Sequence, residues 1–174
     1  MRTFALICAR PHVRARVQQE IALAGSLDDP RSVARLPYVE ACLREAGRLF
    51  PPVTKTFHRA PAGANAGGYR IAADVEVLHY LPLVYRVAAE TPDAHDFRPE
   101  RWLSGAAGAR PYPDMFLSGA RACPGQDLIL FVCKAAIATL LARGTTADNR
   151  KLTNDPLPLF FPEKETRFYD AGHH

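Results

Sequence analysis

The sequence has 174 residues, of which 48% are hydrophobic and 23% charged, and its 22 lysines and arginines against 18 aspartates and glutamates give a formal charge of +4. This length and composition suffice for one hydrophobic core, so they predict a single domain over residues 1–174 and exclude a wholly disordered chain. The basic residues are scattered rather than clustered, so no nucleic-acid partner is expected.

Targeting features and cysteine spacing further limit the kinds of protein that the sequence can represent. No apolar stretch reaches the length of a membrane span and no secretory leader is recognisable, so we expect no membrane partner and a cytoplasmic location. The cysteines at positions 8, 42, 123 and 133 form no C-x-x-C pair and have no histidine at zinc spacing. This spacing argues against a disulfide framework and a structural zinc site. We interpret Cys8, Cys42 and Cys133 as buried thiols.

Apolar periodicity predicts three main helices. The first covers residues 11–23, with a proline in its first turn and an apolar face that ends at Leu23. The second covers residues 36–49 and is stopped by two consecutive prolines. The third covers residues 124–142, begins with a Pro-Gly pair and is the most apolar helical segment of the chain.

Turn residues and short alternating segments fill the remainder. Residues 60–68 are interpreted as a loop, and the alternation over residues 69–81 predicts two short strands. Residues 86–113 lack a sustained period and are interpreted as an ordered coil in which Trp102 packs. One or two further short strands are predicted within residues 157–169. The predicted fold class is therefore mainly α with small β-sheets, an α+β fold.

A single cysteine stands in F-L-S-G-A-R-A-C-P-G, the segment directly before the third helix. Gly119 and Gly125 permit positive φ or a close backbone approach, and the N-terminal end of a helix favours an anionic sulfur at Cys123. A thiolate beneath a flat apolar cofactor is one of the few ways in which proteins ligate haem iron. The residues alone leave two interpretations open, a haem ligand and a structural thiol at a helix start.

Three segments, in order, resemble landmarks of one family. Phe116, Gly119, Arg121, Cys123 and Gly125 occupy every fixed position of F-x-x-G-x-R-x-C-x-G, the haem-binding signature of the cytochrome P-450 family. The E-A-G-R segment that starts at position 45 is similar to the family's E-x-x-R helix, and F-R-P-E-R-W from position 97 is similar to its P-E-R coil. The resemblance implies the C-terminal part of the cytochrome P-450 fold, truncated.

The resemblance also implies roles for the residues of the signature. Cys123 would be the catalytic residue and the axial iron ligand of haem b, and Phe116 would shield its sulfur. Gly119 and Gly125 belong to the same cofactor-binding segment. Arg121 would pair with a haem propionate, for which a guanidinium fork is well shaped.

Residues outside the signature receive roles by the same resemblance. Arg59, and beside it His58, would be further propionate partners, although Arg59 alone reads as a solvated loop arginine. Glu45, Arg48 and Arg101 would form the family's buried ion-pair triad. Without the family context, Glu45 and Arg48 are three positions apart and read as a surface ion pair.

Function follows from the resemblance and stays open between two classes. A complete enzyme would insert one oxygen atom of O2 into a small organic substrate, with electrons from a ferredoxin or flavoprotein reductase docked on the proximal face. Arg110, Arg121, Lys134 and Arg143 are predicted to form a positive patch for that partner. The alternative is a non-catalytic haem-binding remnant, or a complementing or partner-binding fragment, because the likeness covers only about the last two fifths of a family member. A generic basic helical binding module is a third interpretation, which leaves the three segments unexplained.

Two turns depart from the family pattern. Ala73 and Asp74 stand where the family has Pro-Gly, and Arg86, Val87 and Ala88 stand where it has R-D-P. These changes predict a looser middle of the chain, because both turns lack their preferred residues.

Overall fold

The computed structural model describes residues 1–87, 93–103, 115–117, 119, 122–153 and 156–170. Helices dominate these residues, and short strands form small antiparallel sheets beside them. The predicted α+β fold class is therefore confirmed.

Several helices of the described residues begin at a proline or a polar cap. The described helices are α1 (Arg2–Cys8), α2 (Pro11–Ala24), α3 (Pro30–Ala34), α4 (Pro37–Leu49), α5 (Leu81–Val84) and α6 (Gln126–Ala142). Prolines stand at the start of α2, α3 and α4, where the missing N–H has no helical partner to lose. Within the described ranges, no helix combines the length and the apolar character that a bilayer crossing requires.

The helix boundaries differ from the sequence predictions at identifiable places. The five-residue α3 carries too little periodicity to be predicted, and it forms because the Asp29 side chain accepts a hydrogen bond from the Arg31 N–H at 2.9 Å. The third predicted helix begins at Gln126, because Pro124 and Gly125 form a turn before it. Leu23 is 80% exposed rather than buried, because it lies about a third of a turn away from the buried stripe of α2.

Among the residues that the structure describes, the strands pair in three antiparallel ladders. They are β1 (Lys55–Arg59) with β4 (Glu76–Tyr80), β2 (Asn65–Ala66) with β3 (Tyr69–Arg70), and β5 (Thr146–Asp148) with β6 (Arg167–Tyr169). In the first ladder Phe57 lies opposite Leu78, and His58 lies opposite Val77. The two strands predicted within residues 69–81 are present, but each pairs with a different partner.

Some strand predictions need correction. The interpretation of residues 60–68 as a loop is wrong at Asn65–Ala66, which is hydrogen-bonded to the next strand. Within residues 157–169 the strand is only Arg167–Tyr169, and a 3-10 helix at Glu163–Glu165 precedes it. These elements are two to three residues long, so pairing rather than local propensity decides them.

A left-handed residue at the turn before β4 compensates for one departure from the family pattern. Asp74 has a φ of 63°, and its N–H donates to the Ala60 carbonyl at 2.9 Å. Aspartate tolerates this conformation better than most side chains do. The turn is therefore closed without a glycine, contrary to the expected loosening at this point.

The hydrophobic core is built around α4. Ten of the 13 residues of α4 are buried, and the helix packs against α1, α2 and α6. The first helix, α1, also packs against α2 and β5, while α6 packs against α2 and α3. Polar side chains on α4 therefore enter the interior, where they need partners.

Candidate haem-thiolate site

The loop before α6 closes on itself and presents Cys123. The Cys123 N–H donates to the Phe116 carbonyl at 2.8 Å, and the Ala122 N–H donates to the Gly119 carbonyl at 3.1 Å. Gly119 has a φ of 61°, which glycine adopts without penalty, and Leu117 has a φ of 62°, which is strained for a branched side chain. Such strain is concentrated at functional sites.

The thiol lies where a helix start can stabilise negative charge. Cys123 is half-buried and packs against the hydrophobic core. Its carbonyl accepts a hydrogen bond from the Gln126 N–H at 3.3 Å, and Gln126 is the first residue of the 17-residue α6. The unpaired N–H groups and the dipole at the start of a helix favour negatively charged groups nearby.

The other cysteines occupy different environments. Cys42 is buried, whereas Cys8 and Cys133 are half-buried, so the prediction of three buried thiols holds fully only for Cys42. Burial raises the pKa of the Cys42 thiol well above its ordinary value, and burial also raises the pKa of Cys8. Neutral thiols are therefore favoured at these two positions.

Helix α4 packs against the loop that carries Cys123. Phe116 is buried, and the Arg44 guanidinium lies 5.8 Å from the centre of its ring. The preceding residue, Met115, fits against Gly47 so closely that a Cβ atom built on Gly47 would lie 1.8 Å from the methionine sulfur. The absence of a side chain on Gly47 therefore lets the start of the loop rest on the helix.

The same helix carries a fully buried ion pair. Glu45 Oε1 lies 2.8 Å from Arg48 Nη2, Oε2 lies 3.0 Å from Arg48 Nε, and the two side chains are 0% and 1% exposed. Arg101 Nε donates to Glu45 Oε1 at 2.9 Å. The structure thus brings the three residues of the proposed triad together, and the reading of Glu45 and Arg48 as a surface pair is wrong because α4 lies inside the core.

Two further donors complete the environment of the Glu45 carboxylate. Trp102 Nε1 donates to Oε2 at 2.8 Å, and the Arg98 N–H donates to Oε1 at 3.0 Å. The interpretation of Trp102 as a packing residue is therefore incomplete, since its indole N–H holds the buried carboxylate. The need of a buried indole for an acceptor is the sequence signal that could have indicated this contact. A 3-10 helix at Pro99–Trp102 carries both Arg101 and Trp102.

Glu100, the acidic residue of the 3-10 helix Pro99–Trp102, binds side chains of two other helices. Glu100 Oε1 accepts from the Tyr38 hydroxyl at 2.8 Å and from Arg16 Nη1 at 3.0 Å. Burial raises the pKa of Tyr38, and its hydrogen bond to Glu100 raises it further. The short helix is therefore attached to α4 on one side and to α2 on the other.

Arginine side chains attach the coil to α4 through its backbone. Arg48 Nη1 donates to the carbonyls of Tyr85 at 2.9 Å and Ala94 at 2.7 Å, and Nη2 donates to that of Asp96 at 3.2 Å. Arg101 Nη2 donates to the Asp93 carbonyl at 3.1 Å. The ion-pair cluster therefore fixes the path of the described coil.

Arg86 is a second buried guanidinium, which the sequence reading noted only as part of an altered turn. Its Nη2 donates to the Leu49 carbonyl at 2.7 Å and its Nη1 to the Pro158 carbonyl at 2.9 Å. Its Nε has no hydrogen-bond partner among the residues that the structure describes. Burial, with repulsion from Arg48, lowers the pKa of Arg86 to about 10. The side chain links the end of α4 to the C-terminal segment.

The structure describes two of the three candidate propionate partners. His58 and Arg59 are on β1, where His58 Nε2 is 3.2 Å from Thr56 Oγ1 and the exposed Arg59 lies opposite Glu76. Arg121 lies outside the described residues. The roles of these three side chains toward a propionate stay predictions.

The predicted positive patch needs one correction. Lys134 is only 5% exposed, and its ammonium donates to the Ala34 carbonyl at 2.8 Å and to Glu40 Oε2 at 3.3 Å. Its position on the face of α6 toward α3 and α4 gives it partners inside the protein rather than on the surface. Arg143 is exposed at the end of α6, and Arg110 and Arg121 lie outside the described residues.

The surroundings of Cys123 fit a thiolate-ligated haem. Near the start of α6, the apolar side chains of Leu128, Ile129 and Val132 are exposed, as an apolar cofactor surface requires. In the described part of the chain no three histidine, cysteine or acidic side chains cluster as a metal site, whereas haem needs only one protein ligand to its iron. The donor present is a single sulfur at a helix start.

Comparisons with known proteins agree with this geometry. The family model for cytochrome P-450 matches residues 2–160. Similar proteins include cytochrome P-450 734A6 of Oryza sativa subsp. japonica, 34% identical over 79% of this chain and 27% of that protein. Cytochrome P-450 734A1 of Arabidopsis thaliana is 30% identical over 82% of this chain and 29% of that protein. Alkane hydroxylase MAH1 of Arabidopsis thaliana is 32% identical over 75% and 27%.

The chain thus spans 27% to 29% of the length of these relatives. The family match nevertheless covers most of this chain and includes both the cysteine loop and the buried ion-pair cluster. The chain therefore belongs to the cytochrome P-450 family.

Proposed function

We propose that this chain is the haem-binding portion of a haem-thiolate monooxygenase and that Cys123 ligates the iron of haem b. In the complete enzyme, one oxygen atom of O2 is inserted into a small organic substrate. The observation that carries the proposal is the half-buried Cys123, held at the start of α6 by its hydrogen bond to the Phe116 carbonyl. The thiol and the cluster around Glu45 are both supported by α4.

Each residue of the candidate site has its own role in the proposed function. A thiolate-ligated haem supplies an electron-rich iron that favours O–O bond cleavage. Cys123 supplies the sulfur, and the start of α6 places unpaired N–H groups near it. Phe116 fixes the Cys123 N–H and places an apolar ring beside the loop. Gly119 gives the loop its left-handed turn, and Gly125, with a φ of −93°, is the residue directly before α6.

The carboxylate of Glu45 acts through the residues that it holds. By binding Arg48, Arg101 and Trp102 it fixes the coil that packs against α4. Arg59, His58 and Arg121 are the proposed partners of the haem propionates, for which positively charged donors are suited. None of these residues exchanges atoms with a substrate in this proposal.

The test is the spectrum of the reduced chain with carbon monoxide. The full chain is saturated with hemin, reduced and exposed to carbon monoxide, and its Soret band is recorded beside that of Cys123→Ala. A thiolate-ligated carbonyl absorbs far to the red of a histidine-ligated one, so the red-shifted band should appear in the original chain and vanish in the variant. Cys133→Ala, a half-buried cysteine on the same helix, is the matched control and should keep the band. A spectrum that does not respond to Cys123→Ala overturns the proposal.

A reductase and an organic substrate belong to the complete enzyme. The proposed electron donor is a ferredoxin or a flavoprotein reductase that docks on the proximal face. Arg143 is exposed at the end of α6 and is suited to an acidic partner, whereas the buried Lys134 is not. One relative is named an alkane hydroxylase, which agrees with an apolar organic substrate.

A second candidate is a non-catalytic haem-binding chain, or one that complements a second chain. Phe57 and Leu78 favour it, because they lie opposite each other in the β1–β4 sheet and are 47% and 53% exposed. A two-stranded sheet with exposed apolar side chains is stabilised by a covering partner. Product formation by the haem-loaded chain with a reductase would support the enzyme, and haem binding without product would support the second candidate.

A further inference from the structure

Two histidines meet on one face of the β1–β4 sheet. His58 lies opposite Val77, and His79 lies opposite Thr56, so the two histidines are diagonal neighbours on adjacent strands. Their ring centres are 4.7 Å apart and the ring planes are inclined by 50°. The β-strand alternation directs Lys55 and Arg59 to the opposite face. The imidazoles therefore face the same space without those two cations beside them.

This separation matches the spacing that a shared metal ion imposes on two imidazoles. With a metal–nitrogen bond of 2.0–2.1 Å, each ring centre lies roughly 3.2 Å from the ion. Two ring centres separated by 4.7 Å then subtend about 95° at the ion, which lies between the square-planar and tetrahedral angles. Neutral imidazole is a common ligand for Cu²⁺, Ni²⁺ and Zn²⁺.

A further contact orients one of the rings. His58 Nε2 lies 3.2 Å from Thr56 Oγ1. A ligating imidazole commonly holds its second nitrogen by a hydrogen bond, which fixes the ring orientation. His79 is exposed, so an ion can reach the pair from solvent.

We infer that His58 and His79 form a two-histidine site for a divalent transition-metal ion on the β1–β4 sheet. The site does not use the sulfur of Cys123, and an ion bound to His58 would compete with the propionate role proposed above for that residue. It needs neither haem nor a redox partner, and water completes the coordination of the ion. If the rings only stack on each other, metal binding will be insensitive to either histidine.

The experiment is a calorimetric titration of the full chain with Ni²⁺ alone, without added hemin, in a background in which His173 and His174 are replaced by alanine. That background removes two adjacent histidines that could bind Ni²⁺ themselves. We expect one Ni²⁺ per chain, and at least tenfold weaker binding in both His58→Ala and His79→Ala. The second substitution should cost less affinity than the first, because the chelate is already lost when one ligand is removed.

Controls separate chelation from a general loss of histidine or of fold. His12→Ala removes an exposed histidine of α2 and should leave the affinity unchanged. His79→Gln keeps a side chain of similar size, so it reports on the ligand if the alanine variant folds poorly, and circular dichroism checks each variant.

Equal Ni²⁺ affinity in the original chain and in His79→Ala overturns the site, as does a small additive loss from each single variant. The carbon monoxide spectrum of haem-loaded His79→Ala should match that of the original chain. Failure of the metal site is therefore distinguishable from failure of the haem proposal.

Discussion

The carboxylate of Glu45 is buried, charged and fully engaged. It accepts hydrogen bonds from at least five donor groups, which belong to Arg48, Arg98, Arg101 and Trp102. A buried ion is tolerated only when its lone pairs are satisfied and its charge is compensated. The residue therefore acts as a single anchor for α4, the 3-10 helix and the coil.

Removing this charge should be costly. Glu45→Gln leaves the buried Arg48 guanidinium without its counter-ion, and we expect the free energy of unfolding to fall by about 3–5 kcal/mol. Urea denaturation followed by circular dichroism measures the change. The matched control is Glu163→Gln, which removes an exposed pair with Arg2 and should cost under about 1 kcal/mol. Equal losses in the two variants would contradict the anchoring role.

Gly47 gives a second prediction for a single residue. An alanine Cβ at this position would lie 1.8 Å from the sulfur of Met115 and 3.0 Å from its Cβ, so the methionine backbone must move. We expect Gly47→Ala to lower the free energy of unfolding by about 1–3 kcal/mol.

A second substitution identifies the clash. Gly47→Ala combined with Met115→Ala should recover part of the lost stability, because the shorter side chain at position 115 makes room. The haem-loaded Gly47→Ala chain should also lose intensity in the carbon monoxide band, since Met115 starts the cysteine loop. If the double variant recovers no stability, the contact with Met115 is not the cause of the loss in Gly47→Ala.

Helix α6 shows that a charged residue can belong to the interior of an otherwise apolar helix. Lys134 caps the end of α3 through the Ala34 carbonyl and pairs with Glu40 of α4. A cation is favoured at the carbonyl end of a helix. One side chain therefore joins three helices.

Replacement of Lys134 by alanine should weaken the fold rather than alter its surface charge alone. We expect Lys134→Ala to lower the free energy of unfolding by about 1–3 kcal/mol, because the Ala34 carbonyl and the Glu40 carboxylate lose their buried donor. Arg143→Ala, at the exposed end of the same helix, should stay within about 0.5 kcal/mol. Thermal denaturation of both variants measures the change in stability. If Lys134→Ala does not change the stability, Lys134 acts as a surface residue and the interior role is contradicted.

Helix periodicity made α2 and α4 predictable, because each places apolar residues on one face over several turns, and the nearly continuous apolar run made α6 predictable. The elements α3, β1 and β5 were not predicted, since α3 is only five residues long and the two strands depend on partners far away in sequence. Even in α4, the hydrogen bonds at the start of the helix go to a distant residue, because Glu20 of α2 accepts from the N–H groups of Tyr38 and Val39 at 2.7 and 2.9 Å. No local pattern contains that information.

Some features of the candidate site could likewise be predicted from local sequence, and others could not. The loop with Cys123 and the triad partners are local sequence signatures, so the sequence could nominate them. The fit of Met115 against Gly47 and the Trp102 hydrogen bond arise only when the coil is laid on α4. Burial also reverses an expectation, because Lys134 is charged but faces inward.

For the molecule as a whole, acid should weaken the junction between α4 and α6. Burial alone would raise the pKa of Glu40, but hydrogen bonds and charge from Arg44 and Lys134 outweigh it and lower the pKa below its ordinary 4.5. The folded state therefore binds fewer protons at this group than the unfolded state does around pH 4.5. The stabilisation is present above that pH and is lost as the pH falls through the lowered value.

We expect the free energy of unfolding of Glu40→Gln to depend less on pH in the acidic range than that of the original chain. The free energy of unfolding is measured by urea titration from about pH 7 to about pH 3. The original chain should exceed the variant by a constant amount near neutrality, and the difference should shrink below about pH 4.5. A difference that stays constant to about pH 3 would contradict the assignment.

Two buried arginines bind main-chain oxygens, in addition to the side-chain contacts that hold the coil. Arg48 takes the carbonyls of Tyr85, Ala94 and Asp96, and Arg86 takes those of Leu49 and Pro158. Every amino acid offers such an oxygen, so these contacts do not depend on which side chains stand at the bound positions. Over evolutionary time they constrain the two arginines more than the half-buried Asp96, whereas Arg101 and Trp102 of the coil are constrained by their own bonds to Glu45. The same asymmetry marks Asp96 as a position to recode when the protein is engineered.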